Sequence, residues 1–209
     1  MTALVIGNSV SRKDIDYISS IDPFVLGKVV NALAKRFPDM IESRKDIDLH
    51  QLSNFEIYGC NGLYRDYTPK HLIATDLAMI EEIISSGYHL QNKVYTLPSV
   101  NRKIQNQVTT LPDQTEEVCP SGIRALRLAL ADHTDIYMIG MDFTNDNHYA
   151  GTPTYAKHWN FDKWIPTIES IIQRNKHCKF SRIGAQKRNI TPHSNFEELT
   201  VQQFTHKFY

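Results

Sequence analysis

An α/β domain with a mostly parallel sheet is the fold class that this sequence predicts, and two patterns carry the prediction. Short, β-rich apolar runs alternate along the chain with longer segments of helical periodicity. The apolar runs contain few polar residues, which is typical of parallel strands that helices cover on both faces. The chain has 209 residues, a length that suits one domain. We therefore expect residues 1–209 to form a single Rossmann-like domain with helices flanking the sheet.

Six runs are predicted to form strands and four segments to form helices. The strands are Ala3–Gly7, Phe55–Cys60, Leu72–Thr75, Lys93–Leu97, Ile136–Gly140 and Lys179–Ile183. The helices are Pro23–Phe37, Leu77–Ser86, Gly122–Ala131 and Trp164–Arg174. Pro166 favours a later start for the last helix, because proline fits a first turn better than a helix interior.

Two segments lie outside this alternation of strands and helices. The hexapeptide SRKDID occurs at residues 11–16 and again at 43–48. The helical stretch between the copies, about residues 17–42, is predicted to be an inserted surface segment, since long loops cost little free energy. Residues 185–209 are polar, and we expect them to form a C-terminal tail that is a flap, a dimer contact or frayed.

Composition and charge disfavour several classes of protein. Lys plus Arg and Asp plus Glu each number 23, so the net charge is zero, and recognition of nucleic acid through bulk charge is disfavoured. No run approaches the ~18 apolar residues of a membrane span, and the N-terminus lacks the basic region and cleavage site of a signal peptide. The three cysteines show no CxxC spacing. These features favour a cytoplasmic protein without a disulfide framework.

Small, amide-bearing and acidic residues follow several of the predicted strands. Ligands of open parallel sheets bind beyond the carboxyl ends of the strands, so we expect a pocket at this edge. Asparagine both donates and accepts hydrogen bonds, which suits ribose hydroxyls, phosphate oxygens and the polar edge of a base. Each residue taken alone is an ordinary turn residue, and their collection at one edge predicts the site. They are Gly7, Asn8, Ser9, Asn61, Gly62, Asp76 and Asp142.

Two further segments add to the candidate site. Ser121 and Gly122 open the third predicted helix, with Ser121 as its N-cap, and the amides behind it suit a phosphate or carboxylate. His148 lies in the polar loop after the fifth strand, where an imidazole suits a general base. The chain has neither GxGxxG nor GxxxxGK[ST], which disfavours a dinucleotide oxidoreductase and a P-loop NTPase. The remaining histidines are scattered without ligand spacing, and we predict no metal site.

Five short motifs occur in a fixed order along the chain. They are VIGN (5–8), YGCN (58–61), SGI (121–123), IYMIGMDF (136–143) and NDNHY (145–149). This set resembles the bacterial sialyltransferases that modify lipooligosaccharide, and small uncharacterised phage-borne relatives of them. The resemblance extends from Met1 to about Ile172, apart from the insert.

The resemblance implies a Rossmann-like sheet that binds CMP-sialic acid, a nucleotide-sugar donor, at its carboxyl edge, with no metal or other cofactor. Asn8, Asn61, Ser121 and Gly122 would contact the nucleotide. His148 would deprotonate the hydroxyl of an acceptor glycan or of another hydroxyl compound. The family's arginine before Ser-Gly and its tyrosines after Asp-Phe are replaced here by Val118-Cys119-Pro120 and Thr144. Residues that could take over their part in steadying the leaving phosphate are Tyr149, Tyr155, Lys157 and Arg124.

Two other functions stay open at this point. Mg²⁺-dependent phosphoryl or pyrophosphoryl transfer from a nucleotide would use Asp76, Asp142 or Asp146 as metal ligands. The replaced arginine and tyrosines also fit a nucleotide- or sugar-binding module without catalysis. The sequence leaves the oligomeric state open, including association as a homo-oligomer.

Overall fold

A parallel sheet organises the protein in the computed structural model, which describes residues 2–13, 55–112, 119–143, 149, 152, 164–184 and 188–208. Eight strands within these residues follow the order β5-β4-β3-β2-β1-β6-β7-β8, and every neighbouring pair is parallel. The strands are β1 (Thr2–Ile6), β2 (Phe55–Cys60), β3 (His71–Ile73), β4 (Val94–Thr96), β5 (Thr109–Thr110), β6 (Asp135–Ile139), β7 (Lys179–Ile183) and β8 (Phe196–Leu199). The predicted α/β class is confirmed.

Five α-helices occur in the described residues. They are α1 (Leu77–Ser85), α2 (Pro98–Lys103), α3 (Ser121–Ala129), α4 (Trp164–Arg174) and α5 (Val201–Phe208). Short 3₁₀ turns follow β1 at Val10–Lys13 and β2 at Asn61–Arg65, and a third lies at Tyr88–Leu90. No helix in these ranges is long and apolar enough to cross a membrane.

The sheet separates two hydrophobic layers, as its apolar strands predict. On β1, Leu4 and Ile6 belong to one layer, and Ala3 and Val5 belong to the other. This division follows from the strand period of two, which sends successive side chains to opposite faces. The first layer receives Met79, Ile80 and Ile83 of α1, Val100 of α2 and Phe204 of α5, and the second receives Ile123 and Leu126 of α3 and Ile168, Ile171 and Ile172 of α4.

The C-terminal segment differs from the predicted tail. Its residues 196–208 form β8 and α5, and Phe204 is fully buried. The Phe204 ring lies 5.6 Å from that of Phe55 and 5.3 Å from that of Tyr137, measured between centroids. The expectation of a polar flap or frayed end is therefore wrong for these residues. Three apolar side chains within this polar segment are enough to pack α5 against the sheet.

The start of the helix before β7 also differs from the prediction. Helix α4 begins at Trp164, so Pro166 occupies its first turn and the later start is wrong. The predicted helix Pro23–Phe37, the insert at about 17–42 and the second SRKDID copy lie outside the described residues.

The strand order places a topological switch point between β1 and β6. From β1 the chain winds outward through β2 to β5 on one side and through β6 to β8 on the other. Ile6 pairs with Gly59 of β2 and with Ile139 of β6, so these strands end at the same level. In sheets of this kind the connections diverge at the switch point and leave a crevice at the carboxyl edge, where ligands bind.

Candidate functional site

Gly7 and Gly140 bring the loops after β1 and β6 into backbone contact at the switch point. The Gly7 amide donates to the Ile139 carbonyl at 2.8 Å, and the Ser9 amide donates to the Gly140 carbonyl at 2.9 Å. A Cβ on Gly7 would lie 2.2 Å from the Gly140 carbonyl oxygen. Gly7 is therefore needed for packing, whatever else it contacts. Beside it, Asn8 is buried and Ser9 is partly exposed.

Asp142 stabilises this contact between the loops after β1 and β6. It is 2% exposed, and its Oδ2 accepts a hydrogen bond from the Ser11 amide at 2.9 Å while its Oδ1 accepts one from Ser11 Oγ at 2.5 Å. Ser11 Oγ in turn accepts a hydrogen bond from the Gly140 amide at 3.1 Å. Both carboxylate oxygens of Asp142 are thus engaged by the loop after β1. This position differs from the ligand-facing one that its place after a strand predicts.

Asn61 and Gly62 open the 3₁₀ turn after β2. Asn61 has a φ of 49°, a left-handed conformation that asparagine tolerates better than most residues. Its Oδ1 is buried, with no hydrogen-bond partner among the described residues. Gly62 lies under the aromatic ring of Tyr149, because a Cβ there would come within 3.0 Å of that ring. Asn61 is therefore a predicted site residue whose side chain has an acceptor oxygen that no described residue engages.

Ser121 joins the start of α3 to the end of β3. Its Oγ lies 2.9 Å from Thr75 Oγ1 and accepts a hydrogen bond from the Thr75 amide at 3.2 Å. The N-cap position of α3 is Pro120, which makes no side-chain capping bond, so the prediction of Ser121 as N-cap is wrong. Gly122 follows, and a Cβ on it would lie 3.2 Å from Met141 Sδ. The first backbone amides of α3 have no hydrogen-bond partner within the helix, and they lie at the carboxyl edge of the sheet because the helix begins there.

Asp76 stands apart from these contacts. It occupies the N-cap position of α1 without a side-chain capping bond. Its side chain is exposed, yet the neighbouring protein removes enough water to raise the pKa of the carboxyl group above its ordinary value.

Tyr149 is held by the loops after β1 and β2. Its hydroxyl accepts a hydrogen bond from Arg12 Nη1 at 2.7 Å and donates one to Asp66 Oδ2 at 2.8 Å. The guanidinium groups of Arg12 and Arg65 lie 4.9 and 5.2 Å from the centre of its ring. Tyr149 is 6% exposed. The structure therefore places Tyr149 at the carboxyl edge, engaged by protein partners, while His148, the preceding residue, lies outside the described residues.

Cys60 ends β2 inside this cluster. Burial raises the pKa of its thiol to about 12, and the nearby positive charge of Arg12 only partly opposes the rise. The thiol stays protonated at neutral pH, so Cys60 is a packing residue rather than a nucleophile.

Comparison of the chain with protein-family models, curated proteins and solved structures finds no match. The fold and the geometry of the carboxyl edge are therefore the features of the molecule that point to a function. Within the described ranges, no group of three or more His, Cys, Asp or Glu side chains is placed to hold a metal ion.

Sequence reasoning missed the residues that tie the loops of the site together. Ser11 and Arg12 fall in the SRKDID motif and look like part of a charged surface segment, and Asp66 has no distinguishing context. The available signal was their position, since all three come within six residues of a strand's carboxyl end.

A second polar cluster lies toward the amino ends of the strands, under the end of α3. Glu56 Oε1 accepts a hydrogen bond from His71 Nε2 at 2.7 Å and pairs with Lys70 Nζ at 3.0 Å. The Tyr95 hydroxyl lies 3.1 Å from His71 Nδ1, and the Tyr58 ring stacks on the imidazole with centroids 4.5 Å apart. Burial lowers the pKa of His71, and the hydrogen bond to Glu56 offsets this only in part.

This cluster predicts a loss of stability in mild acid. Below pH about 6.5 an unfolded chain protonates its histidines, whereas buried His71, whose folded pKa is lower, resists the proton. The unfolded state then binds more protons than the folded state. The free energy of unfolding therefore decreases as the pH is lowered, by up to about 1.4 kcal/mol per pH unit, until His71 in the folded protein is protonated. Urea denaturation between about pH 7.5 and pH 5.5 measures this slope.

The variant His71→Gln should flatten the slope while lowering stability at neutral pH, since the amide replaces only part of the network. The groups that face His71 (Glu56, Lys70, Lys93, Tyr58 and Tyr95) remain in this variant. His206→Gln, at an exposed position on α5, is the control and should keep the wild-type slope. An unchanged slope in His71→Gln contradicts the prediction.

Proposed function

We propose that this protein is a metal-independent glycosyltransferase that uses a nucleotide-activated sugar, CMP-linked by its sequence resemblance, with His148 as general base. The observation that carries the proposal is the switch point between β1 and β6, the position where parallel sheets of this order bind ligands. Around it lie groups of the chemistry that a nucleotide needs.

The residues at the carboxyl edge supply complementary polar groups. Asn61 presents an acceptor oxygen with no partner in the described part of the chain, suited to a ribose hydroxyl or the amino group of a base. The amino end of α3, a nine-residue helix, supplies backbone amides suited to an anion. Asn8 is buried on the loop after β1, at the same edge of the sheet.

The proposed reaction needs no cofactor because the donor brings its own leaving group. The acceptor oxygen forms a bond to the anomeric carbon of the sugar while the bond from that carbon to the phosphate oxygen breaks. The electron pair of the broken bond stays with the phosphate, and the proton of the acceptor hydroxyl goes to the imidazole of His148. The protein orients the hydroxyl, accepts the proton and stabilises the departing charge.

A thermal-shift panel of CMP, CDP, UMP, UDP, GDP, AMP and ATP, each with Mg²⁺ and with EDTA, tests the proposal. A ligand at 100 times its dissociation constant adds about 2.7 kcal/mol of apparent stability, a shift of roughly 5 to 10 °C for a domain of this size. Stabilisation by CMP in EDTA supports the proposal and leads to assays with CMP-sugars. Stabilisation by ATP only with Mg²⁺ favours phosphoryl transfer instead, and no shift with any nucleotide contradicts a nucleotide site.

Two variants of Asn61 separate the effect of its backbone conformation on stability from the effect of its side chain on nucleotide binding. Asn61→Gly should fold with nearly wild-type stability, because glycine adopts a φ of 49° without strain, but should bind CMP about tenfold more weakly through the lost hydrogen bond. Asn61→Ala should show the same weak binding and an added loss of about 1 kcal/mol in the free energy of unfolding.

Calorimetric titration of CMP and urea denaturation of both variants measure these effects. Wild-type affinity in Asn61→Gly would remove Asn61 from the nucleotide site and leave it the role of a left-handed turn residue.

A further inference from the structure

Arg12 is a buried cation at the switch point. It lies in the turn after β1 and is 3% exposed. Its Cβ packs against the end of β6, since a Cβ on Gly140 would come within 3.2 Å of it. From there its guanidinium reaches the loop after β2, where Nη2 donates to Asp66 Oδ2 at 2.8 Å. Arg12 therefore spans the crevice between the two halves of the sheet.

The guanidinium of Arg12 is held in one place by its neighbours. Nη1 donates to the Tyr149 hydroxyl at 2.7 Å, and the rings of Tyr67 and Tyr149 lie 5.1 and 4.9 Å from its central carbon. An arginine fixed in this way loses little conformational entropy when a further ligand binds. We call Arg12, Asp66, Tyr67 and Tyr149 the Arg12 cluster.

One nitrogen of this guanidinium has no hydrogen-bond partner in the described part of the chain. Arg12 Nε is buried and has no hydrogen-bond partner among the described residues. Nε and Nη2 form the edge of a guanidinium that binds a carboxylate or phosphate through two parallel hydrogen bonds. Within the described ranges, this edge of Arg12 makes one hydrogen bond, from Nη2 to Asp66.

Two other buried or half-buried arginines show the contrast. Arg65 Nε and Nη2 each donate to an oxygen of Glu82 at 2.8 Å. Arg182 likewise donates to Glu198 from both Nε and Nη2. Both of these edges are filled by a carboxylate of the protein, whereas on Arg12 the residues that the structure describes engage Nη2 and leave Nε without a partner. Buried N–H donors are rarely left unpaired in native proteins, which points to a ligand atom at Arg12 Nε.

The surroundings of Arg12 indicate which ligand would fit. The cation lies close to Cys60, and the next residue, Asn61, carries the buried acceptor without a described partner. A charged donor and a neutral acceptor thus occur on neighbouring parts of the same edge. This pair complements an oxyanion that is joined to a hydroxyl- or amine-bearing group.

We propose that Arg12 binds the phosphate of the nucleotide, with Nε donating to a phosphate oxygen, while Asn61 accepts a hydrogen bond from the nucleoside. This inference rests on the proposed nucleotide site and adds the residue that recognises its charge. In a transfer reaction the same contact would stabilise the negative charge that builds up on the departing phosphate. Asp66, whose side chain is 41% exposed, is then the carboxylate with which the phosphate shares the cation.

Calorimetric titration of CMP, cytidine and inorganic phosphate into the wild type and three variants tests this role. Arg12→Lys keeps a charge but lacks Nε, and should bind CMP and phosphate about tenfold more weakly while its affinity for cytidine stays unchanged. Asp66→Asn removes the competing carboxylate and should bind CMP as tightly as the wild type or more tightly. Arg174→Lys, at an exposed position at the end of α4, makes the same chemical change away from the Arg12 cluster and is the control, which should bind all three ligands as the wild type does.

Each pattern of results decides a separate point. If Arg12 only holds the loops together, Arg12→Lys and Asp66→Asn lower the affinities for CMP and cytidine by the same factor. This outcome overturns the inference. An unchanged preference for CMP over cytidine in Arg12→Lys overturns it as well and leaves the nucleotide site standing. If the wild type binds phosphate but neither CMP nor cytidine, and Arg12→Lys loses the phosphate, Arg12 is upheld as the anion-binding residue and the proposed function is overturned. If none of the three ligands binds, both the inference and the proposed function are overturned.

A measurement on the wild type covers the case in which Arg12→Lys fails to fold. In ¹⁵N-arginine-labelled protein, an Nε–H signal should shift on addition of CMP or phosphate and stay in place with cytidine. Arginine signals that respond equally to CMP and cytidine, or to neither, overturn the inference.

Discussion

Replacing Gly7 by alanine is expected to lower the free energy of unfolding by about 3 kcal/mol or more. The added Cβ would lie 2.2 Å from the Gly140 carbonyl oxygen and 2.8 Å from the carbonyl carbon. These are backbone atoms of a loop that is tied to the loop after β1 by the bond from the Ser9 amide to the Gly140 carbonyl. Neither side can move without breaking that contact, so the two halves of the sheet must separate at the switch point.

The same contact makes Gly140 sensitive for two reasons. A Cβ on Gly140 would lie 2.5 Å from the Gly7 carbonyl oxygen, and Gly140 has a φ of 68°. Gly87 has a φ of 75° with nothing within 4 Å of the added Cβ. Gly87→Ala should therefore cost only the backbone strain of about 1–2 kcal/mol, and Gly140→Ala should cost clearly more.

Urea denaturation of the three alanine variants separates these contributions. A loss in Gly7→Ala or Gly140→Ala no greater than that of Gly87→Ala would contradict the close approach of the two loops. Because the crossing also supports the candidate site, both variants should lose nucleotide affinity together with stability, whereas Gly87→Ala should retain it.

The main strands could be predicted from the sequence because burial on both faces requires continuous apolar runs. The bounds of β2 and β7 agree with the prediction. The edges of the sheet gave no such signal, since β8 carries the exposed Glu197 and Glu198 and β5 has only two residues. Edge strands are stabilised by one neighbour, and their local composition need not differ from that of a loop.

Helix α5 escaped prediction for a related reason. Its apolar residues Val201, Phe204 and Phe208 have helical spacing, but they are few within a polar sequence. Their partners, Phe55 and Tyr137, come from distant strands. Packing against those rings stabilises the helix, and no local pattern carries that information.

The sequence predicted where the candidate site lies, but it did not predict the contacts within the site. The carboxyl ends of parallel strands share one edge, so the sequence could place Gly7, Asn61 and Ser121 there. It could not tell that Asp142 faces Ser11, because that hydrogen bond joins residues 131 positions apart. Residue type alone did not single out Arg12, whereas the structure buries its guanidinium beside the rings of Tyr67 and Tyr149.

Replacing His148 by alanine is expected to lower the rate of sugar transfer by roughly 10²–10⁴-fold while leaving nucleotide affinity nearly unchanged. The imidazole is proposed to take a proton from the acceptor hydroxyl, a role confined to the chemical step, so its loss should lower kcat rather than donor binding. Tyr149, the next residue in the chain, is anchored at the carboxyl edge by Arg12 and Asp66, which supports a role for this loop in the site.

The measurement pairs initial rates with a CMP-sugar donor and calorimetric titration of CMP on the same preparations. His206→Ala, at an exposed position on α5, is the control and should retain both rate and affinity. Wild-type turnover in His148→Ala would show that another group accepts the proton. Equal losses of rate and affinity would instead make His148 a donor-binding residue, and the proton acceptor would then have to be sought among the other groups of this edge.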